Sequence, residues 1–136
     1  MPDAPAPGFR QNPDYPMAVA PFLKRVRTSV AGIVIADSRN AKLLRENTYP
    51  GVFYFPKDDV RIDGFLAQTD LKTTCPYKGD AGYWTFRLGS QAEENIAWSY
   101  ADPYREAADI AGHLSFYWDR MDCWFVDDAQ IARPPV

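Results

Sequence analysis

The sequence predicts a mainly β fold, α+β at the margin: a small, strongly bent antiparallel sheet or partly open barrel with one helix at about 103–111. Three observations lead there. Short segments alternate in polarity through the middle of the chain, as in Tyr83–Leu88, where Trp84, Phe86 and Leu88 face away from Tyr83, Thr85 and Arg87. Turn-forming residues such as Ala31-Gly32, Asp37-Ser-Arg-Asn40 and Asn47-Thr-Tyr-Pro50 separate these segments at short intervals. A helical period surfaces once, after Asp102-Pro103.

The elements follow in order. Residues 1–22 hold six of the twelve prolines and show no periodicity, which predicts a Pro-rich extended arm lying on the body through Tyr15 and Phe22. A single β domain is expected over 23–127 and a loose tail over 128–136. Within the domain, Arg25–Val30 and Ile33–Ala36 read as a hairpin about Ala31-Gly32. Ala41–Glu46 is bounded by turns, and its six residues suit a strand better than a helix. Val52–Phe55 is an aromatic, β-branched strand that Pro56 ends, and Asp58–Leu66 has room for one or two helical turns. Ile96–Tyr100 alternates again. Asp102 is a good N-cap, Ala107, Ile110 and Ala111 supply an apolar face, and Gly112 is a natural stop. Leu114–Trp118 and Cys123–Val126 resume the strand pattern.

Composition limits what the chain can do. At 136 residues it has length for one core and not for two ordinary domains. A net charge of −3 gives no general attraction for nucleic acid or anionic membranes, so neither is an expected partner. No apolar run reaches the ~20 residues of a membrane span, and no basic-then-apolar leader opens the sequence, which makes the cytoplasm the expected compartment. Cys75, Cys123 and the only histidine, His113, are scattered singly, without the paired spacing of a zinc site, so no metal and no cofactor is expected.

Candidate function concentrates in Thr73-Thr-Cys-Pro-Tyr-Lys-Gly79, followed by Tyr83-Trp84. A thiol, an amine, a phenol and an indole lie close together on backbone that Pro76 and Gly79 keep out of a regular helix. Lys78 is a local cation for the Cys75 thiol, and His113 is the candidate base; strand alternation sets it on the face of Ser115 and Tyr117. These three form the catalytic candidate set. As a binding loop, Tyr77 and Lys78 with Trp84, Trp98 and Tyr100 suit a flat or anionic ligand, and Arg39, Lys57 and Arg61 add positive charge, Arg61 as a clamp for carboxylate or phosphate. The plain structural alternative makes the indoles core, Cys75 a small hydrophobe, the arginines partners of Asp37, Asp58 and Asp59, and Asp58-Asp59 the acidic start of a short helix.

Residues 25–125 resemble the DUF427 family, an uncharacterised domain family also filed under a nucleotidyltransferase-like heading. The resemblance rests on Ala36-Asp-Ser-Arg39 with Leu43-Leu-Arg-Glu46, Tyr54-Phe-Pro-Lys-Asp-Asp-Val-Arg61, Thr74-Cys-Pro-Tyr-Lys-Gly79 leading to Tyr83-Trp84, Ala97-Trp-Ser-Tyr100 and Ile110-Ala-Gly112. It implies a mainly-β, Mss4-like domain and no settled activity. Nucleotidyl transfer would need two carboxylates one residue apart after a Gly-Ser turn to hold magnesium, and no Asp-x-Asp follows Gly89-Ser90. The sequence therefore points first to a small-ligand pocket around Cys75–Gly79. An enzyme acting on a small anionic or nucleotide-like substrate through Cys75 or Lys78 comes second, and an interaction scaffold third. The expected partner is a small molecule, anionic among the options, and open strand edges leave room for a homodimer.

Overall fold

The computed structural model describes residues 4–135, so Met1–Asp3 of the Pro-rich arm and Val136 of the tail lie outside the described residues. Its strands form three antiparallel sheets with no closed barrel among the described residues. The first sheet joins β1 (Met17–Pro21), β4 (Lys42–Glu46) and β5 (Val52–Tyr54). The second runs in the order β11 (Ala129–Ile131), β10 (Cys123–Val126), β2 (Val26–Val30) and β3 (Ile33–Ser38). The third is a meander of β6 (Leu66–Cys75), β7 (Gly79–Leu88), β8 (Gln91–Ser99) and β9 (Leu114–Phe116). Phe55 and Leu114 exchange backbone hydrogen bonds of 2.8 and 2.9 Å, which fasten the first sheet to the edge of the third.

Period-two alternation explains how these sheets are held. Along β4, β5 and β7 successive side chains enter two different cores. Leu43, Phe53, Trp84 and Phe86 join the larger core with Val26, Ile35, Ile96, Phe116 and Trp124. Their neighbours Leu44, Tyr54, Ala81 and Tyr83 join a smaller one with Tyr100, Ala107 and Ile110. Residues 81–86 are buried without a break, as expected of a strand covered on both faces. The β2–β3 hairpin turns at Ala31 (φ 50°) and Gly32 (φ 77°), two left-handed residues that match the twist of its strands.

Several segments take forms the pattern did not indicate. Pro7–Gln11 is a short helix, α1, and Met17–Pro21 is a strand on β4, both within the stretch expected as an extended arm. Ala129–Ile131 pairs with β10 inside the expected loose tail. The helix anticipated at 103–111 is a 3₁₀ segment, Arg105–Ile110, kinked at Ala107 (φ −116°); its N-cap is Tyr104, and Asp102 lies before it. Asp58–Leu66 contributes a single 3₁₀ turn at Lys57–Asp59. Neither acidic residue there caps it with a side chain; Asp59 instead accepts a 2.6 Å hydrogen bond from Ser38 Oγ. Ten-residue β6 escaped the strand reading because it is an edge: most of its residues are exposed, and a bulge between Gln68 and Lys72 breaks its register with β7.

The larger core should govern global stability. Phe86 is fully buried and its ring lies parallel to that of Phe65 at 6.0 Å. Phe86→Ala is expected to lower the unfolding free energy by about 3–5 kcal/mol. Denaturant titration measures this directly, and a loss under about 1 kcal/mol would contradict the packing described.

Candidate functional site

The Cys75–Gly79 segment is the turn of the β6–β7 hairpin. Cys75 and Gly79 are the last paired residues, and Pro76, Tyr77 and Lys78 form the loop between them. Pro76 fixes one backbone angle, and Gly79 adopts φ 122°, a value that L side chains avoid. A Cβ at Gly79 would also press to 3.3 Å from Pro103 Cα. The Lys78 carbonyl accepts a 2.9 Å hydrogen bond from the Tyr104 amide, so the segment after β8 braces the turn.

Lys78 meets an unexpected partner. Its Nζ lies 2.6 Å from Glu46 Oε1 at the end of β4, with the two side chains only 12% and 16% exposed. The other carboxylate oxygen accepts a 2.5 Å hydrogen bond from the Tyr15 hydroxyl. Pairing of β1 with β4 sets Met17 opposite Glu46, which delivers Tyr15 to this position. The Tyr15 ring stacks on Tyr77 at 3.7 Å and 7°, and Phe9 meets Tyr77 edge-on at 5.1 Å. The Gly8 amide donates to the Pro76 carbonyl at 2.9 Å, and a Cβ on Gly8 would come within 2.7 Å of the Tyr77 ring. The turn is thus covered by residues that precede β1.

Beneath the turn lies the smaller, phenol-rich core. Cys75 is half-buried and packs against it, as does Trp98, whose indole N–H donates to the Tyr54 hydroxyl at 3.1 Å. Tyr100 is buried in the same cluster, and the Tyr83 and Thr73 hydroxyls are 2.9 Å apart. Burial pushes the Tyr54 and Tyr100 phenols well above the ordinary tyrosine range, with the negative charge of Glu46 adding to both. Tyr15 is raised in the same direction by burial and by its bond to Glu46. These phenols stay protonated near neutral pH and serve as neutral hydrogen-bonding groups.

The remaining candidates divide. Trp84 belongs to the larger core and donates its indole N–H inward to Ser99 Oγ at 3.0 Å. With Lys57 and Arg61 it lines a separate open cleft of about 610 Å³. Asp58 and Asp63 line that cleft too, which balances its charge and removes any strong preference for anions. Arg61 lies over the Phe65 ring at 4.8 Å, and Lys57 lies 5.6 Å from the centre of the Trp84 ring. Arg39 is exposed and lines neither place; Asp37 is held by Arg25 at 2.6 Å, which keeps its carboxyl below the usual range. His113 lies before β9, and its Nδ1 pairs with the Ala111 carbonyl at 3.0 Å. Of the face expected for it, Ser115 is buried and donates to the Phe53 carbonyl, whereas Tyr117 is exposed. Among the described residues no hydrogen bond or ion pair joins His113 to Cys75 or Lys78, and no group of three or more His, Cys, Asp or Glu is placed to hold a metal.

Glu46 and Tyr15 are therefore the site residues that sequence reasoning missed. Glu46 stood at the end of a predicted strand, and Tyr15 in the arm. The one signal available was indirect, since a lysine in a specified turn over a ring-rich core requires a counter-charge.

Fold and site together define a small antiparallel β domain with an ion-paired, aromatic-floored hairpin turn. A family model described as a domain of unknown function (DUF427) matches residues 18–127, and the chain belongs to that family. No curated protein matches the sequence. Among the described residues no helix is long and apolar enough to cross a membrane.

The buried phenols set an alkaline limit on stability. Folded Tyr54 and Tyr100 hold their protons to higher pH than the unfolded chain does, so stability is full below about pH 10 and falls as pH rises beyond it. Each should contribute a slope of about 1.4 kcal/mol per pH unit. Denaturation midpoints between pH 8 and 12 should show this, roughly, with a shallower slope in Tyr54→Phe. A flat profile would contradict the burial.

Proposed function

We propose that the domain binds a small planar ligand at the β6–β7 turn, between the Tyr77 ring and the Lys78–Glu46 pair. The observation that carries this reading is the Lys78–Glu46 contact of 2.6 Å at a site only 12–16% exposed. A charge pair withdrawn from water gives little net stability, because desolvation offsets its attraction. Its value lies in presenting ammonium donors beside carboxylate acceptors at a fixed place. An anionic or acceptor group on the ligand faces Lys78, a donor faces Glu46, and the ring lies on Tyr77. Cys75, Trp98 and Tyr100 then belong to the floor and support the turn from below. Arg61 and Trp84 belong to the other cleft.

A catalytic reading stands second and has one observation in its favour. Glu46 sets a carboxylate beside the Lys78 ammonium, so the carboxylate can accept a substrate proton while the ammonium holds an anionic group; the pairing favours the charged amine and does not make it a nucleophile. Among the described residues no carboxylate or imidazole is hydrogen-bonded to Cys75. The two unpaired thiols fit a reducing cytoplasm.

Titration of the protein with planar anions (benzoate, nicotinate and a purine nucleotide), followed by amide chemical shifts, tests the binding site. Shifts should centre on Tyr77, Lys78 and Glu46, and Lys78→Ala should weaken binding by about tenfold or more, as expected for a lost charge-assisted hydrogen bond. Lys78→Gln, which keeps a donor for Glu46, guards against a folding defect. Unchanged affinity in both variants, or shifts confined to Lys57, Arg61 and Trp84, would refute the reading.

A further inference from the structure

We infer that Tyr15 occupies the seat of the ligand's ring, so that the ligand is a planar ring carrying an O–H or N–H donor aimed at Glu46. The N-terminal segment then acts as a built-in competitor that must lift before the site fills. This rests on the binding reading above and goes further by naming the ligand's chemistry and its gate.

Tyr15 makes the contacts such a ligand would make. Its ring is parallel to Tyr77 at 3.7 Å and 7°, with Phe9 edge-on to it at 6.1 Å. Its hydroxyl donates to the Glu46 oxygen that Lys78 leaves free. A ring without a donor would leave that carboxylate oxygen unpaired in a half-closed site, which is the strongest form of discrimination available to a polar group.

The cover is built to come away. Residues 10–14 are all exposed, and α1 buries only Gly8. Among the described residues its other ties include the burial of Ala6 and three hydrogen bonds of its backbone: Ala6 N–H to Glu106 Oε1 at 2.9 Å, Arg105 N–H to the Ala4 carbonyl at 2.7 Å, and Gly8 N–H to the Pro76 carbonyl. The Pro16 carbonyl accepts from the Asn47 amide at 2.8 Å, and from Met17 onward the chain is locked to β4 by strand pairing, which places the hinge just before Pro16. The covering residues also precede position 18, where the family match begins, while Glu46, Tyr77 and Lys78 lie within it. The seat's Glu46, Tyr77 and Lys78 thus lie within the matched residues, and the cover lies before them.

The test uses the full chain with three probes: p-cresol and adenine, which carry donors from two chemical sources, and toluene, which carries none. A closed cover lowers apparent affinity by the fraction of open molecules, so Tyr15→Ala should bind p-cresol or adenine about 10- to 100-fold more tightly than the unaltered protein. Toluene should gain nothing, and Glu46→Gln added to Tyr15→Ala should cut the donor probes' gain, since an amide oxygen accepts more weakly than a carboxylate. Tyr15→Phe, which keeps the ring and loses the hydroxyl, should lie between the two and guards against misfolding in the alanine variant. No gain for either donor probe, or an equal gain for toluene, overturns the inference. If benzoate binding still depends on Lys78 while Tyr15→Ala leaves all three probes unchanged, the gate falls and the site stands. If Lys78 also proves irrelevant, both fall.

Discussion

Alternation along three strands is the constraint on which the rest of this structure depends. β4, β5 and β7 each send one set of side chains into the larger core and the other into the phenol-rich one. A strand buried on both faces has no freedom to slip, because a shift of one residue would exchange its two faces. Leu43 and Leu44, Phe53 and Tyr54, and Tyr83 and Trp84 make this visible in adjacent pairs. The Phe55–Leu114 bridge then ties the two sheets at one point. With register fixed in this way, the end of β4 and the start of β7 have fixed positions, and Glu46 meets Lys78.

That meeting differs in kind from the ion pairs on the surface, Arg25–Asp37 and Arg120–Glu93. Arg25 and Asp37 are also 2.6 Å apart but are 35% and 42% exposed, where screening leaves ~0–1 kcal/mol. Lys78 and Glu46 are well under half as exposed, so truncating Glu46 leaves the ammonium short of both water and this partner, while truncating Lys78 leaves the carboxylate with the Tyr15 hydroxyl. Nature of the surroundings matters as much as distance. Hydroxyls and rings supply hydrogen bonds and polarizable surface without further charge, so the pair remains the main polar feature of the turn. The cleft at Lys57 and Arg61 lacks this economy, since its cations already stand among carboxylates and over rings.

Much of the fold was legible because burial writes period two into sequence. The strands about Val26, Trp84, Trp98 and Leu114 show it, while those about Ile33, Phe53 and Trp124 were legible as short apolar, β-branched or aromatic runs between turns. β6 did not, because an edge strand with exposed Thr73 and Thr74 has no apolar face to reveal, and its bulge breaks the alternation. The expected helix after Asp102 is 3₁₀ turns instead: the Ala107 amide bonds the Tyr104 carbonyl three residues back, and the backbone leaves helical geometry at Ala107. The site was half legible. Pro76 and Gly79 mark a specified turn, and Tyr77 and Lys78 follow from it. Glu46 is 32 positions from Lys78 and Tyr15 is 31 from Glu46, distances over which no local pattern reports contact. The ligand set assembled from residue types alone mixed two places, because Trp84 packs into the larger core while Trp98 and Tyr100 pack with the smaller one.

The central claim is that a closed, ion-paired turn within the family domain lies beneath a cover that opens separately from the core. Amide hydrogen exchange on the full chain addresses this most directly. The Gly8 amide, bonded to Pro76, should exchange through a local opening far more readily than the amides of Tyr83–Phe86, which are released only by global unfolding. Equal protection at Gly8 and in β7 would show that the cover is an integral part of the core, and would contradict the account.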